Sequence, residues 1–210
     1  MQWGQSLEFP TAKSKPWIQI LHNNDNHWLV VASGYGQKEG VMVYDSLLDS
    51  EPHRHTFYAV AQICPEKNDE LKLLLMKTQH QKDGVSCGLF AIANATALAF
   101  GLNPSEFVYD QSDLRSHFIL CCLNKKIEPF PFIQSRKCRN WRPSSYLKCP
   151  LYCKCKMPFS ENDVGFPDRF RTIVECKGCQ NWYHLNCEKI PNDVITNRRC
   201  KWRCSNCVLA

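Results

Sequence analysis

Three short apolar runs follow one another early in the chain: PWIQILH (16–22), HWLVVAS (27–33) and GVMVYDS (40–46). Each is rich in Val, Ile, Leu and aromatic residues and is bounded by Asn, Asp or Gly, the pattern of a β-strand closed by turns. HTFYAVAQIC (55–64) has a helical character and stops at Pro65. LKLLLMKT (71–78) fits a buried strand or a helix equally well, because a short continuous apolar run carries no period of its own. CGLFAIANATALAFG (87–101) is alanine-rich and ends on Gly101, which predicts a helix with a glycine stop. DQSDLRSHFILCCLNKK (110–126) predicts a second helix, with Asp and Ser at its start and lysines at its end. Strands followed by helices favour the α+β class.

Composition sharpens this picture. With 210 residues the chain has room for one or two domains, and 44% apolar residues exclude intrinsic disorder. The most apolar stretch, from Cys87 to Gly101, is too short to span a bilayer, so no membrane is expected as a partner. The start, MQWGQSLEFP, has neither the basic nor the apolar region of a secretory signal. Fourteen cysteines without a sign of export point to reduced thiols, and so to metal ligands or a nucleophile rather than disulfides.

The net charge of +6 hides an uneven division. Residues 1–132 carry 11 Lys/Arg against 14 Asp/Glu, and residues 133–210 carry 15 against 6. Ten of the fourteen cysteines also fall from Cys138 onward. This shift predicts two domains, 1–132 and 149–210, joined by a polar, basic linker over 133–148 that contains Pro143.

Within the first part, His27 opens the second predicted strand, Asp45 closes the third, and Cys87 opens the alanine-rich helix. A cysteine at a helix N-terminus faces unpaired N–H groups and the positive end of the macrodipole, and both favour a thiolate. A neighbouring imidazole would favour it further, with a carboxylate fixing the ring tautomer. Gln81 could donate to an oxyanion beside the Cys87 backbone N–H. Gly84 and Gly88 flank the cysteine and would let a substrate backbone come close. Singly, these residues have ordinary structural roles; their order gives them weight. HWLVV, GVMVYDSL and QHQKDGVSCGLFAIANA resemble the Ulp/SENP-like cysteine proteases, a papain-superfamily group acting on ubiquitin-like proteins. The resemblance covers roughly residues 16–124 and implies a papain-like α+β fold. It makes His27 the general base, Asp45 its orienting acid, Cys87 the nucleophile and Gln81 the oxyanion donor. Only 26 residues precede His27, which reads as an N-terminally short version of the domain. Ser86 stands before the cysteine, where SUMO-processing members commonly have an acidic residue.

The second part carries Cys153-x-Cys155, Cys176-x2-Cys179, His184-x2-Cys187 and Cys204-x2-Cys207. Short pairs of this kind place two ligands on one tight turn, and eight ligands make two closed tetrahedral zinc sites. Disulfides are the other reading of such pairs, and a histidine inside the series suits zinc better. The order of four Cys, one His and three Cys, with Trp182 before the histidine and Trp202 before the last pair, resembles a PHD finger over residues 152–207. The resemblance implies interleaved sites, with Cys153, Cys155, His184 and Cys187 on one Zn2+ and Cys176, Cys179, Cys204 and Cys207 on the other. Cys149 competes with Cys153 for the first position. The resemblance also implies a peptide site, with Tyr152, Phe159, Ile173 and Trp182 at the positions of a methyl-lysine cage and a histone tail as the partner. Against this, Trp182 could simply cover the zinc core, and Lys177 and Asn181 stand where many readers carry acidic groups.

Basic clusters at Arg136, Lys137, Arg139, Arg142 and Lys148, and at Arg198, Arg199, Lys201 and Arg203, would suit nucleic acid or an acidic protein. No base-reading element accompanies them. Cys64, Cys121, Cys122, Cys138, Cys149 and Cys200 have no assigned chemistry. The expectation is a nuclear protein that cleaves ubiquitin-like conjugates or precursors at a Cys87 thiolate. The alternative is a non-catalytic chromatin-binding module in which the protease-like part is only a scaffold.

Overall fold

The computed structural model describes residues 11–13, 16–23, 26–36, 39–47, 52–64, 69–134, 141, 143–159, 171–196 and 201–208. The chain divides into two compact units. One is built from described residues within 12–56 and 72–148, the other from Thr11 and described residues within 57–71 and 149–210. In chain order the first elements are strands β1 (Trp17–His22), β2 (Trp28–Ser33) and β3 (Val41–Tyr44), helix α1 (Arg54–Ile63) and strand β4 (Glu70–Met76). Helix α2 (Cys87–Ala99), strand β5 (Phe107–Tyr109), helix α3 (Leu114–Leu123) and strands β6 (Phe132–Gln134) and β7 (Pro143–Pro150) follow.

A five-stranded sheet runs in the order β1-β2-β3-β4-β7. β1, β2 and β3 are antiparallel neighbours, whereas β3 and β4 are parallel, with Val41 opposite Leu73. The parallel pair settles the ambiguous run at 71–78 as a strand. Leu73, Leu74, Leu75 and Met76 are all buried, and a strand covered on both faces reads as continuous apolar sequence without alternation. A parallel pair also needs a long crossover, and α1 lies in it.

α2 explains its own alanine content. Ala91 and Leu98 pack with Val30, Ala32, Met42, Tyr44, Leu74 and Met76 of the sheet. Phe90, Ala93 and Ala97 pack with Phe107, Tyr109, Leu114 and Phe130 on its other side. A helix buried between two clusters has no polar stripe, and small side chains let both neighbours approach.

The stretch expected to be a linker is partly sheet. Phe132–Gln134 pairs antiparallel with β5, and Pro143–Pro150 is the outer strand beside β4. β7 escapes sequence reading because an edge strand can stay polar and exposed, as Ser144, Ser145 and Tyr146 are, and can begin with proline. Its anchor is a side-chain bond: Ser144 Oγ donates to the Leu75 carbonyl at 2.8 Å. Cys138, Cys200 and the basic residues Arg136, Lys137, Arg139, Arg142, Arg198 and Arg199 lie outside the described residues.

The second unit contains a small two-stranded sheet, β8 (Ile173–Glu175) antiparallel to β9 (Trp182–His184), and two short helices, α4 (Asn192–Thr196) and α5 (Ser205–Val208). Its buried cluster is Cys176, Tyr183, Ile190 and Cys204, with Trp202 edge-on to Tyr183 at 5.7 Å. Among the described residues, no helix is long and apolar enough to cross a membrane.

Candidate functional site

The register of β2 on β3 pairs Val30 with Tyr44 and Ala32 with Met42. His27 stands just before β2 and Asp45 just after β3, at the two strand ends that this pairing brings together. They meet: His27 Nε2 and Asp45 Oδ1 are 2.6 Å apart, both side chains buried. The same carboxylate oxygen accepts the Leu47 N–H at 2.9 Å, which fixes it from the loop side. Because a carboxylate only accepts, Nε2 carries the proton and Nδ1 is left as the ring's basic nitrogen. Nδ1 is buried and has no partner at hydrogen-bonding geometry.

Cys87 is the first residue of α2 and is buried. It is brought to the same ring. Burial pulls the His27 pKa down, but the Asp45 hydrogen bond and charge, followed by the hydrogen bond and charge of Cys87, outweigh it and leave the pKa raised above 6.5. The Cys87 interaction is therefore within reach of the imidazole, although Nδ1 keeps no close bond. Resting thiol–imidazole pairs are commonly loose until substrate is bound.

The turn into α2 is tied down by Asp83. Its Oδ1 accepts the N–H groups of Val85 and Ser86 at 2.9 and 2.8 Å, and its Oδ2 accepts the Ser86 hydroxyl at 2.7 Å. Gln111 Nε2 adds a bond to Oδ2 at 2.6 Å. These bonds hold the Asp83 carboxyl below the usual range, the Ser86 hydroxyl contributing most. Gln79 clamps the loop onto β5 through both its amide atoms, donating to the Tyr109 carbonyl and accepting its N–H. Gln81 is buried in the same loop, its Nε2 donating to the Asp83 carbonyl at 2.6 Å and its Oε1 accepting from the Ser46 hydroxyl at 2.7 Å. All four residues expected from the sequence, His27, Asp45, Gln81 and Cys87, thus lie in one unit, three of them bonded or coupled around one imidazole. Ser46 and Asp83 were not singled out. The only sequence signals for them were the Y-D-S context and the turn residue in KDGVS.

In the second unit two groups of four ligands form. Cys153, Cys155, His184 and Cys187 make one, and Cys176, Cys179, Cys204 and Cys207 the other, with the ligand atoms of each group within 4.8 Å of one another. Four bonds of about 2.0–2.3 Å at tetrahedral angles put ligand atoms ~3.3–3.8 Å apart. Cys155 Sγ lies 3.3 Å from His184 Nδ1, within this range, and Cys179 Sγ 3.9 Å from Cys204 Sγ, just above it. Cys149 falls outside both groups; burial pushes its thiol up to about 11. Burial drops His184 to about 4, which keeps the imidazole neutral as a ligand must be. Burial opposes ionisation of Cys176, yet backbone N–H groups aimed at its sulfur bring it down to about 6; those of Gly178 and Cys204 stand at 3.3 and 3.2 Å. Gly178 sits where any Cβ would come within 2.8 Å of the Cys207 side chain, so the turn between Cys176 and Cys179 requires a glycine.

The expected peptide-site residues also share one place. Tyr152, Phe159, Ile173 and Trp182 line a cleft of about 650 Å³ together with Arg171 and Thr172. The Tyr152 and Phe159 rings stand edge-on at 6.1 Å, and Trp182 is 44% exposed, so it is not simply a lid on the zinc core. Arg171 and Thr172 had no sequence signal.

Residues 12–125 match the family model described as Ulp1 protease family, C-terminal catalytic domain, and residues 153–207 match that of the PHD-finger. The first match takes in more than half of the chain, and the chain belongs to the Ulp1 protease family. No curated protein and no solved structure matches it. The C-terminal part is a PHD finger whose two clusters bind two zinc ions in a structural role.

Two predictions follow from this geometry. Chelation should release two Zn2+ per chain, counted with a chromophoric indicator, and should abolish the dispersion of the finger's NMR signals, since such zinc supplies ~10–16 kcal/mol of folding energy per site. Asp45→Asn should lower the His27 pKa, read from its ring proton shifts, because burial then acts without the carboxylate. In the wild type, the raised pKa stabilises the fold fully below pH 6.5, and this stabilisation is lost as pH rises through the folded value. In Asp45→Asn that loss should vanish from the unfolding free energy.

Proposed function

We propose that this chain is a cysteine-type peptidase that cleaves the peptide or isopeptide bond at the C-terminus of a ubiquitin-like protein. The observation that carries the reading is His27 bonded to Asp45 through one ring nitrogen, with the other available and Cys87 near enough to raise the ring's pKa. The Cys87 sulfur attacks the scissile carbonyl carbon as its proton passes to His27 Nδ1. The oxyanion takes hydrogen bonds from the Cys87 N–H and from Gln81, and the C–N bond breaks as His27 protonates the leaving amine. Water then hydrolyses the thioester, restoring the thiol and releasing a carboxylate. The working division is a peptidase part over 1–132, a connecting stretch over 133–148 and a finger over 149–210, with β7 added to the peptidase sheet.

The finger, in this reading, brings the enzyme to a peptide. Histone-tail binding draws support from the aromatic cleft and from β8, whose outer edge no strand covers among the described residues, which suits strand addition. A nuclear site of action accords with a PHD finger. The second reading, a binding module on a non-catalytic scaffold, shares the finger and differs only at Cys87.

A ubiquitin-like protein carrying a C-terminal electrophile separates the two. The wild-type chain should form a covalent adduct at Cys87, located by mass spectrometry, and His27→Ala should slow it at least a hundredfold. A chain that no ubiquitin-like probe labels is the binding module. For the finger, a histone-peptide array should show binding that strengthens with lysine methylation and is lost in Trp182→Ala; indifference to methylation removes the cage.

A further inference from the structure

A carboxamide helps an oxyanion only if its N–H is aimed at the charge and stays aimed. A free glutamine has several rotatable bonds and can turn its amide end for end, which would present a carbonyl oxygen to a developing negative charge. Gln81 is prevented from doing either. The Ser46 hydroxyl donates to its Oε1 at 2.7 Å, and its Nε2 donates to the Asp83 carbonyl at 2.6 Å. The Gln81 backbone N–H in turn donates to the Ser46 carbonyl at 3.0 Å, so the two residues are joined twice. The Asp83 carbonyl can only accept, which fixes the nitrogen end and leaves one Nε2 proton uncommitted. Ser46 is 2% exposed, so bulk water does not compete with its hydroxyl for Gln81 Oε1. It also follows Asp45 directly, so one strand end orients both the imidazole and the amide.

We propose that Ser46 is a positioning residue: its hydroxyl locks the Gln81 amide against the Asp83 carbonyl, so that the remaining Nε2–H is held for the oxyanion beside the Cys87 N–H. This rests on the peptidase reading given above.

The test uses the full, zinc-loaded chain and a panel of ubiquitin-like proteins bearing a C-terminal aminocoumarin amide. Ser46→Ala should lower kcat about tenfold with KM nearly unchanged, a fraction of the effect of losing an oxyanion donor outright. Ser46→Thr, which keeps the hydroxyl, should restore most of the rate. In a Gln81→Ala background, Ser46→Ala should add nothing, whereas a merely structural serine would add its own loss. Additive losses, or an unchanged kcat in a folded Ser46→Ala chain, overturn the proposal. A wild-type chain that cleaves none of the substrates overturns the peptidase reading instead, and the clamp is then judged by NMR alone. The Gln81 side-chain amide should be rigid by its heteronuclear NOE in the wild type and in Ser46→Thr, and mobile in Ser46→Ala. An amide that is mobile in the wild type, or rigid in all three, overturns the clamp.

Discussion

The arrangement around Cys87 depends on one bond between two strand ends, His27 Nε2–H to Asp45 Oδ1. It exists only while β2 and β3 keep their register, because a slip of one residue would carry the two strand ends out of step. The register is held by burial: Val30, Ala32, Met42 and Tyr44 must all face α2. The helix that covers this face also begins with Cys87. The packing that aligns acid and base therefore delivers the nucleophile, and no separate device is needed to bring the three together.

The finger follows a different logic. Two of the four residues in its buried cluster, Cys176 and Cys204, are themselves zinc ligands, so little apolar burial remains to hold the chain. Metal coordination takes the place of a core, as in small domains generally. Glu188 reinforces it. One of its oxygens meets Lys154 Nζ at 2.7 Å and the other accepts the Ser205 N–H at 3.1 Å, which joins the ligand turns of both zinc sites.

What the sequence made legible was whatever has a local cause. Strands bounded by turn residues, a helix stopped by Gly101 and cysteine pairs at metal spacing announce themselves without knowledge of the fold. The His27, Asp45 and Cys87 positions were legible because each sits at the end of such an element. The rest depended on tertiary neighbours. The run at 71–78 became a strand only because β3 lies parallel beside it. β7 carries no apolar alternation because it is paired along one edge only. Ser46 and Arg171 look like ordinary polar residues until the chain places one against Gln81 and the other in the aromatic cleft.

The place of β7 has a practical side. The charge and cysteine boundary invites cutting the chain near residue 132, and the match to the peptidase family ends at residue 125. Such a cut would strip β4 of its outer neighbour. It would leave Leu71 to Met76, an apolar run without a charge except Lys72, as the open border of the sheet. Exposed strands of that kind recruit other strands, so the shortened protein would be prone to self-association for a reason unrelated to its chemistry. The polar, half-exposed β7 is in this sense a guard strand: it satisfies the apolar edge on one side and offers a poor template on the other.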